Sequence, residues 1–146
     1  MAIYLHVQAG KLQLLLDALG VHEVLSLEAL AVGGQGDHVQ WREQVLSSVP
    51  VQAFFGQSHG AEGPMGVVYS ATDADVPMML KVDAVLGLRN IHDQEWLPMP
   101  RLPSATMVFF DALVQDLHSD AQLYRLRRPL DRALFHWTST SDRDAN

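Results

Sequence analysis

The chain has 146 residues, of which 48% are hydrophobic and 18% are charged, a composition typical of one globular domain. It contains no cysteine, which excludes disulfides, thiolate nucleophiles and cysteine-based metal sites. Its formal net charge of -7 argues against a nucleic-acid partner, because phosphate binding depends on clustered positive charge. No apolar run approaches the roughly 20 residues of a membrane span and no secretory signal is visible, so the sequence predicts a cytoplasmic protein without membrane insertion.

The first half of the sequence alternates short apolar segments with turns. Residues 3–8 alternate apolar and polar side chains, which predicts a half-buried strand. Gly10 suits the turn of a hairpin, and Pro50 ends a strand because it has no backbone N–H to donate. The predicted elements of this half are strands over 3–8, 11–16 and 21–27, a helical turn over 17–20, a glycine-rich link over 33–37, a strand over 41–49 and a short helical turn over 51–55.

The second half continues with hairpins and a proline-rich connector. Residues 72–75 separate two apolar runs and predict a four-residue hairpin loop, and Pro129 suits the first position of a short helix. The predicted elements are strands over 65–71, 76–82 and 86–91, an extended connector over 97–103, strands over 105–114 and 122–126, a helix over 129–135 and a polar tail over 138–146. About eight to ten strands with little helix predict an all-β, barrel-type domain.

Residues 56–60 (GQSHG) match the G-x-S-x-G pattern of serine hydrolases. In those enzymes a helix follows the serine directly and helps to form the oxyanion site. Two glycines and a proline within residues 61–66 make a helix unfavourable there. A polar surface loop is therefore the preferred interpretation, and a small serine hydrolase that uses Ser58 is the alternative.

Other chemistry has little support in the sequence. The seven histidines never fall at the i, i+4 spacing of a helical metal pair, and the glycines over 56–66 lack the Gly-Lys-Ser/Thr ending of a phosphate loop. The basic run over 125–132 is interpreted as a solvated face rather than as a site for an acidic partner. The sequence therefore predicts no metal and no cofactor.

Four local patterns follow one another in an informative order. Residues 21–25 (VHEVL) contain a V-x-E-V pattern after a two-strand hairpin. Residues 40–51 (QWREQVLSSVPV) keep the arginine and the apolar spacing of an N-L-R-G-x-V-x-P-V-x-D-L segment. Residues 78–88 (MMLKVDAVLGL) run into a V-D-x-V-x-G-V pattern, and residues 123–130 (LYRLRRPL) suit a closing strand and helix. Together, over about residues 3–135, they resemble CheW-like domains, the adaptor modules of bacterial chemotaxis signalling.

The sequence departs from the family pattern around its arginine. Glu43 stands where the family has a glycine, and a charged residue adopts positive φ less readily than glycine, so we expect the turn to differ. Ser47 and Ser48 replace a proline and an apolar residue, and Pro50 lies near the position of the family's aspartate. The chain therefore resembles a divergent member of the family.

The resemblance implies a fold of two small five-stranded SH3-like barrels on a shared hydrophobic core, with a few short helices. This domain would cover residues 1–137, followed by a flexible polar tail over 138–146. The implied function is non-enzymatic: an adaptor that couples the cytoplasmic hairpin tip of a chemoreceptor to the regulatory domain of a CheA-type histidine kinase, in chemotaxis or type IV pilus signalling. The alternative is a β-barrel interaction module that has lost kinase coupling, which the departures at Glu43, Ser47 and Ser48 favour.

The resemblance also implies five protein-binding residues, namely Val21, Glu23, Arg42, Val82 and Val85. Arginine suits the role because its planar fork stays charged and makes paired hydrogen bonds to carboxylates or carbonyls. Each position also has a simpler interpretation: a core residue for the valines, a solvated strand residue for Glu23, and a surface ion pair with Glu43 or another nearby acid for Arg42.

Overall fold

The structure of the chain is a computed structural model that describes residues 2–26, 38–51, 64–72, 76–101 and 109–129. The strands within these ranges are β1 (Ala2–Ala9), β2 (Leu12–Asp17), β3 (Val21–Ser26), β4 (His38–Trp41), β5 (Gln44–Pro50), β6 (Met65–Tyr69), β7 (Met78–Val82), β8 (Ala84–Ile91), β9 (Phe110–Gln115) and β10 (Gln122–Leu126). Three-residue 3-10 turns lie at Ala18–Gly20 and Asp93–Glu95. None of the helical segments in the described ranges is long and apolar enough to cross a membrane. The predicted all-β class is confirmed.

The strands form two five-stranded sheets, here called barrel 1 and barrel 2. Barrel 1 has the strand order β8-β1-β2-β10-β9, and barrel 2 has the order β3-β6-β7-β5-β4. Neighbouring strands pair antiparallel except β2 with β10 and β5 with β7, which are parallel. Barrel 2 is thus one continuous segment of the chain, inserted between the second and third strands of barrel 1.

Among the described residues, three hydrophobic clusters hold this architecture together, one inside each barrel and one between the barrels. Successive side chains of a strand point to opposite faces, so a strand that lies between two clusters buries both faces. Val68 and Met79 line the interior of barrel 2, whereas the adjacent Val67 and Met78 lie in the shared core. The predicted arrangement of two five-stranded barrels on a shared core is confirmed.

The prediction that residues 3–8 form a half-buried strand is wrong in its burial. β1 is a strand, but Tyr4 and His6 are buried as deeply as Leu5. Leu5 and Val7 face the shared core, and the opposite face of β1 lines the interior of barrel 1, where Tyr4 belongs to the local cluster. Polar alternation in the sequence therefore does not mark a solvent-exposed face here.

The strand predicted over 41–49 is instead a hairpin. β4 ends at Trp41 and β5 begins at Gln44, and these two residues pair across a two-residue turn of Arg42 and Glu43. The positive φ of this turn falls on Arg42, at 55°, while Glu43 avoids the left-handed conformation that a glycine would accept. The predicted local difference in the turn is thus realised by strain on the arginine.

Several other predicted elements are confirmed. Gly10 turns the first hairpin with a φ of 62°, the helical turn before β3 is present, and both later hairpins pair as expected. Some predictions lie outside the described residues: the link over 33–37, the loop with Ser58, most of the helical turn over 51–55, the start of the strand over 105–114, the helix beyond Pro129 and the tail over 138–146.

Two short crossings connect the barrels, and hydrogen bonds fix both. Where β7 leads into β8, the backbone N–H of Asp83 donates to the carbonyl of Gln8 at 2.8 Å, and the Asp83 carboxylate accepts from the N–H of Gly10 at 2.5 Å. Where β2 leads into β3, the N–H of Ser70 donates to the carbonyl of Gly20 at 2.8 Å. These contacts set the orientation of one barrel against the other.

Arg125 and Arg128 of the basic run over 125–132 are engaged within the protein, so the interpretation of the run as a solvated face is wrong for these two residues, whereas Arg127 is exposed. Arg125 Nε donates to Asp111 at 2.7 Å. Arg128 Nε donates to the carbonyl of Ser70 at 3.2 Å, and its side chain is only 12% exposed. These two arginines therefore contribute to barrel 1 and to its junction with barrel 2.

Candidate functional site

β3 carries two of the predicted contact residues, but on different faces. The pairing of β3 with β6 shifts register between Val21 and Glu23, so His22 is the extra residue of a β-bulge. Val21 pairs with Tyr69 and packs against the shared core, whereas Glu23 pairs with Val68 of the barrel 2 interior. Val21 and Glu23 therefore do not contribute to one contact surface.

Glu23 and Arg42, by contrast, come together through Trp41. The indole Nε1–H of Trp41 donates to Glu23 Oε2 at 2.5 Å, and a terminal guanidinium nitrogen of Arg42 lies 3.8 Å from the same oxygen. The Arg42 guanidinium carbon lies 4.4 Å from the centroid of the Trp41 ring. Because β3 and β4 are the two edges of barrel 2, this group, called the barrel 2 trio, joins the edges through side chains.

The barrel 2 trio is open to solvent on its arginine side. The side chain of Arg42 is 69% exposed, and within the described part of the chain its guanidinium donates no hydrogen bond. The Glu23 pair at 3.8 Å is the surface ion pair with a nearby acid that the simpler interpretation predicts, although the acid is not Glu43. Exposed ion pairs contribute only about 0 to 1 kcal/mol to stability. The fold therefore orients Arg42 but depends little on its charge.

An open cleft of about 570 Å³ lies beside the trio. Its lining includes Trp41, which is 8% exposed, and Pro77. The cleft is lined by His22, Trp41, Arg42, Glu43, Gln44 and Pro77. An aromatic ring, a proline and a few charged and polar side chains form a composition that suits a protein-binding surface.

Barrel 1 contains the same combination of side chains in a closed form. The Arg125 guanidinium lies 4.2 Å from the centroid of the Trp96 ring and forms an ion pair with Asp111. Only 27% of the Arg125 side chain is exposed. Trp96 in turn packs edge-on against Tyr4 at 5.2 Å between ring centroids. The contrast shows that this chemistry serves packing in barrel 1, whereas in barrel 2 it leaves the cation accessible.

The structure places the two remaining predicted residues away from the trio. Val82 is 1% exposed and belongs to the shared core, and Val85 packs against the same cluster. Their motif instead contributes Asp83, which fixes the crossing between the barrels. In this structure Val82 offers no surface to a partner, so its contribution to binding would act through the packing of β7 and β8.

Trp41 and His22 both line the cleft, and neither is among the five protein-binding residues that the sequence predicts. His22 Nε2 lies 2.7 Å from Ser70 Oγ, and its ring is tilted 54° to that of Trp41 at 6.3 Å. The adjacency of a tryptophan and an arginine at a hairpin turn was the available signal. A prediction of one continuous strand over 41–49 hides this signal, because it places no turn at Arg42.

Comparison with known proteins finds likeness in structure and not in sequence. No model of a known protein family matches the sequence, and no curated protein matches it significantly. The fold is similar to the crystal structure of the scaffolding protein TtCheW from Thermoanaerobacter tengcongensis, with a TM-score of 0.68 over 86% of this chain and 88% of that chain, at 14% sequence identity. The chain thus has a CheW-like fold, as its sequence patterns predict, with the low identity expected of a divergent sequence.

Proposed function

We propose that this chain with a CheW-like fold is a non-enzymatic adaptor that couples chemoreceptors to a CheA-type histidine kinase, in chemotaxis or in type IV pilus signalling. The expected partners are the regulatory domain of the kinase and the cytoplasmic hairpin tip of a receptor, and the expected location is the cytoplasm. The observation that carries the proposal is the barrel 2 trio, an exposed and oriented arginine in this fold.

The geometry of the trio indicates the chemistry of the partner group. Stacking on Trp41 and the charge of Glu23 restrict Arg42, so less side-chain entropy is lost when a partner binds it. A guanidinium with unused donors prefers a carboxylate, or a pair of carbonyl oxygens at the end of a helix. Trp41 and Pro77, which line the cleft, would add apolar contact. An acidic group next to an apolar helix face therefore suits this surface.

A pull-down of purified partners tests the proposal. The chain is immobilised and presented with the regulatory domain of a CheA-type kinase from the same organism, and separately with a receptor cytoplasmic fragment that contains the hairpin tip. Coupling predicts capture of both, and a ternary complex when both are present. A Lys11→Ala variant, altered at an exposed turn residue away from the cleft, should behave as the original chain. If the chain fails to capture the kinase domain, or fails to capture the receptor fragment, the result would contradict the adaptor function.

The second candidate is an interaction module that has lost kinase coupling. It is favoured by the turn of Arg42 and Glu43, which contains no glycine. The positive φ of 55° falls on Arg42, so the hairpin differs locally from the glycine-containing turn of the family pattern. Capture of the receptor fragment without the kinase domain would support this candidate over the first.

The non-enzymatic part of the proposal has its own test. A fluorophosphonate probe reacts with activated serines, and Ser58 in the G-x-S-x-G pattern is the residue that a hydrolase would use. We expect no adduct on Ser58 by mass spectrometry of the intact, folded chain. A stoichiometric adduct that heat denaturation abolishes would instead support the hydrolase alternative.

A further inference from the structure

A histidine lies inside barrel 1. His6 is 5% exposed, and it follows the alternation that places Tyr4 in the barrel 1 interior. Its Nε2 lies 2.7 Å from Oε1 of Gln13 on β2, so the imidazole Nε2–H donates to the amide oxygen. The ring is thereby fixed on the inner face of the barrel, in a setting where a buried charge would be costly.

The charged groups that act on His6 come from the two edge strands of barrel 1. Arg89 on β8 opposes a positive charge on the imidazole, whereas Asp116, directly after β9, favours one. Asp116 already accepts hydrogen bonds from the His118 N–H, the Ser119 hydroxyl and Arg89, at 3.2, 3.0 and 3.2 Å. Burial is the largest influence on the imidazole, and it lowers the pKa of His6 although the hydrogen bond to Gln13 acts in the opposite direction.

The pairing of β8 with β1 is irregular next to this histidine. β8 and β9 lie at opposite edges of the barrel 1 sheet. The Arg89–Asp116 ion pair at 3.2 Å joins these edges, and farther along the chain Leu97 and Leu113 exchange two backbone hydrogen bonds. The cross-strand neighbour of His6 is Gly87, which has a φ of 132°, and the pairing of β1 with β8 shifts register directly beside it. Separation of β8 from β1 at this point would expose the imidazole to water.

We propose that His6 makes the edge of barrel 1 acid-sensitive: the imidazole is neutral while β8 is in place, and its protonation favours a state in which β8 has separated locally from β1. The sign follows from linkage, because the closed state binds the proton less tightly than the open state does. The closed state is therefore favoured above the ordinary histidine pKa of about 6.5 and loses this advantage as the pH falls below it. The device does not depend on the proposed adaptor function.

Hydrogen exchange of the full chain by mass spectrometry tests the proposal. Exchange of the β8 peptide is measured at about pH 7.5 and about pH 5.5 and corrected for the intrinsic effect of pH. We expect opening of β8 to rise about five- to tenfold, since an open-state imidazole is roughly nine-tenths protonated at the lower pH. Peptides of β6 and β7 in barrel 2 should not change, and an equal rise there would overturn the proposal of local opening.

Two further measurements keep the proposal falsifiable. The His6→Gln variant should lose the pH dependence of β8 exchange, while the His118→Gln variant, altered at an exposed histidine, should keep it. If the His6→Gln variant does not fold, NMR titration of the unmodified chain decides the question. Titration of the His6 ring below about 6.5, with coupled shifts of the Leu88 and Arg89 amides, is expected. Titration at or above that value, or retained pH dependence in His6→Gln, would overturn the proposal.

Discussion

The guanidinium of Arg42 lies over the indole ring of Trp41, its neighbour in sequence, with the guanidinium carbon 4.4 Å from the ring centroid. The turn that allows this contact has a φ of 55° at Arg42, a conformation that costs roughly 1–2 kcal/mol outside glycine. An exposed cation–π contact returns only about 0.5–1 kcal/mol. A two-residue hairpin turn requires a positive φ at its first central residue, so the hairpin itself sets the conformation that brings the guanidinium over the ring.

The two tryptophan–arginine contacts should respond differently to mutation. In Arg125→Ala, the partly buried carboxylate of Asp111 loses its partner and Trp96 loses its cover, so we expect unfolding to become easier by about 1–3 kcal/mol. In Arg42→Ala, an exposed pair is lost, and the change should stay below about 1 kcal/mol. Urea denaturation of both variants measures this difference. Equal losses would show that Arg42 also serves mainly to stabilise the fold.

Asp83 should stabilise the junction between the barrels. Its carboxylate accepts the N–H of Gly10, so Asp83→Ala removes one charge-assisted hydrogen bond, and we expect a loss of about 1–2 kcal/mol. Asp83→Asn keeps an acceptor oxygen and should lose less. Exchange of the Gly10 amide with solvent should become faster in the alanine variant. An alanine variant with unchanged stability and unchanged Gly10 exchange would contradict this role.

Gly20 should not tolerate a side chain. A Cβ atom at this position would lie 2.7 Å from the Ser70 carbonyl oxygen and 2.8 Å from Cε1 of Tyr69. Since one of these atoms is backbone and the other is packed in the shared core, Gly20→Ala should cost about 1–3 kcal/mol through overpacking. The adjacent Leu19 is 82% exposed, so Leu19→Ala is the matched control and should be nearly neutral. If Gly20→Ala leaves the stability unchanged, Ser70 and Tyr69 must move away from Gly20 at little cost, which would contradict a tight contact at this junction.

Asp116 should make stability depend on acid pH. The backbone N–H of His118, together with the Ser119 hydroxyl and Arg89, holds the pKa of Asp116 below its ordinary value despite desolvation. The folded state thus binds this proton less tightly than the unfolded state. The contribution is complete above the unfolded pKa of about 3.9 and is lost as the pH falls through the lower folded pKa. Urea unfolding across this range should show a shallower dependence on pH in Asp116→Asn, and an unchanged slope would contradict the assignment.

Much of the fold could be predicted because its signals are local. Gly10 and the polar turn over 118–120 mark hairpins through residue types that the turns require, and the apolar strands follow from their composition. The wrong prediction of burial in β1 has a different cause. The polar His6 points into a barrel interior, and no sequence pattern in β1 distinguishes that interior from solvent.

The candidate site was harder to predict because it depends on register. The bulge at His22 turns Val21 and Glu23 to opposite faces, and bulges leave little trace in a sequence. The hairpin turn at Arg42 was hidden because neither residue of the turn is a glycine or an asparagine, the usual markers of a two-residue turn. The pairing of Glu23 with Trp41 joins residues from two strands that are not hydrogen-bonded neighbours in the sheet, so it follows only from the closure of barrel 2.

The most direct test of the account is isothermal titration calorimetry of the Arg42→Ala variant against the kinase regulatory domain and the receptor fragment. The account predicts that affinity for at least one of them falls by about 2 kcal/mol, as for an interface hot spot, while circular dichroism and the urea midpoint stay close to those of the original chain. Lys11→Ala should bind with unchanged affinity. Unchanged affinity of the folded Arg42→Ala variant for both partners would remove Arg42 and the barrel 2 trio from the binding site.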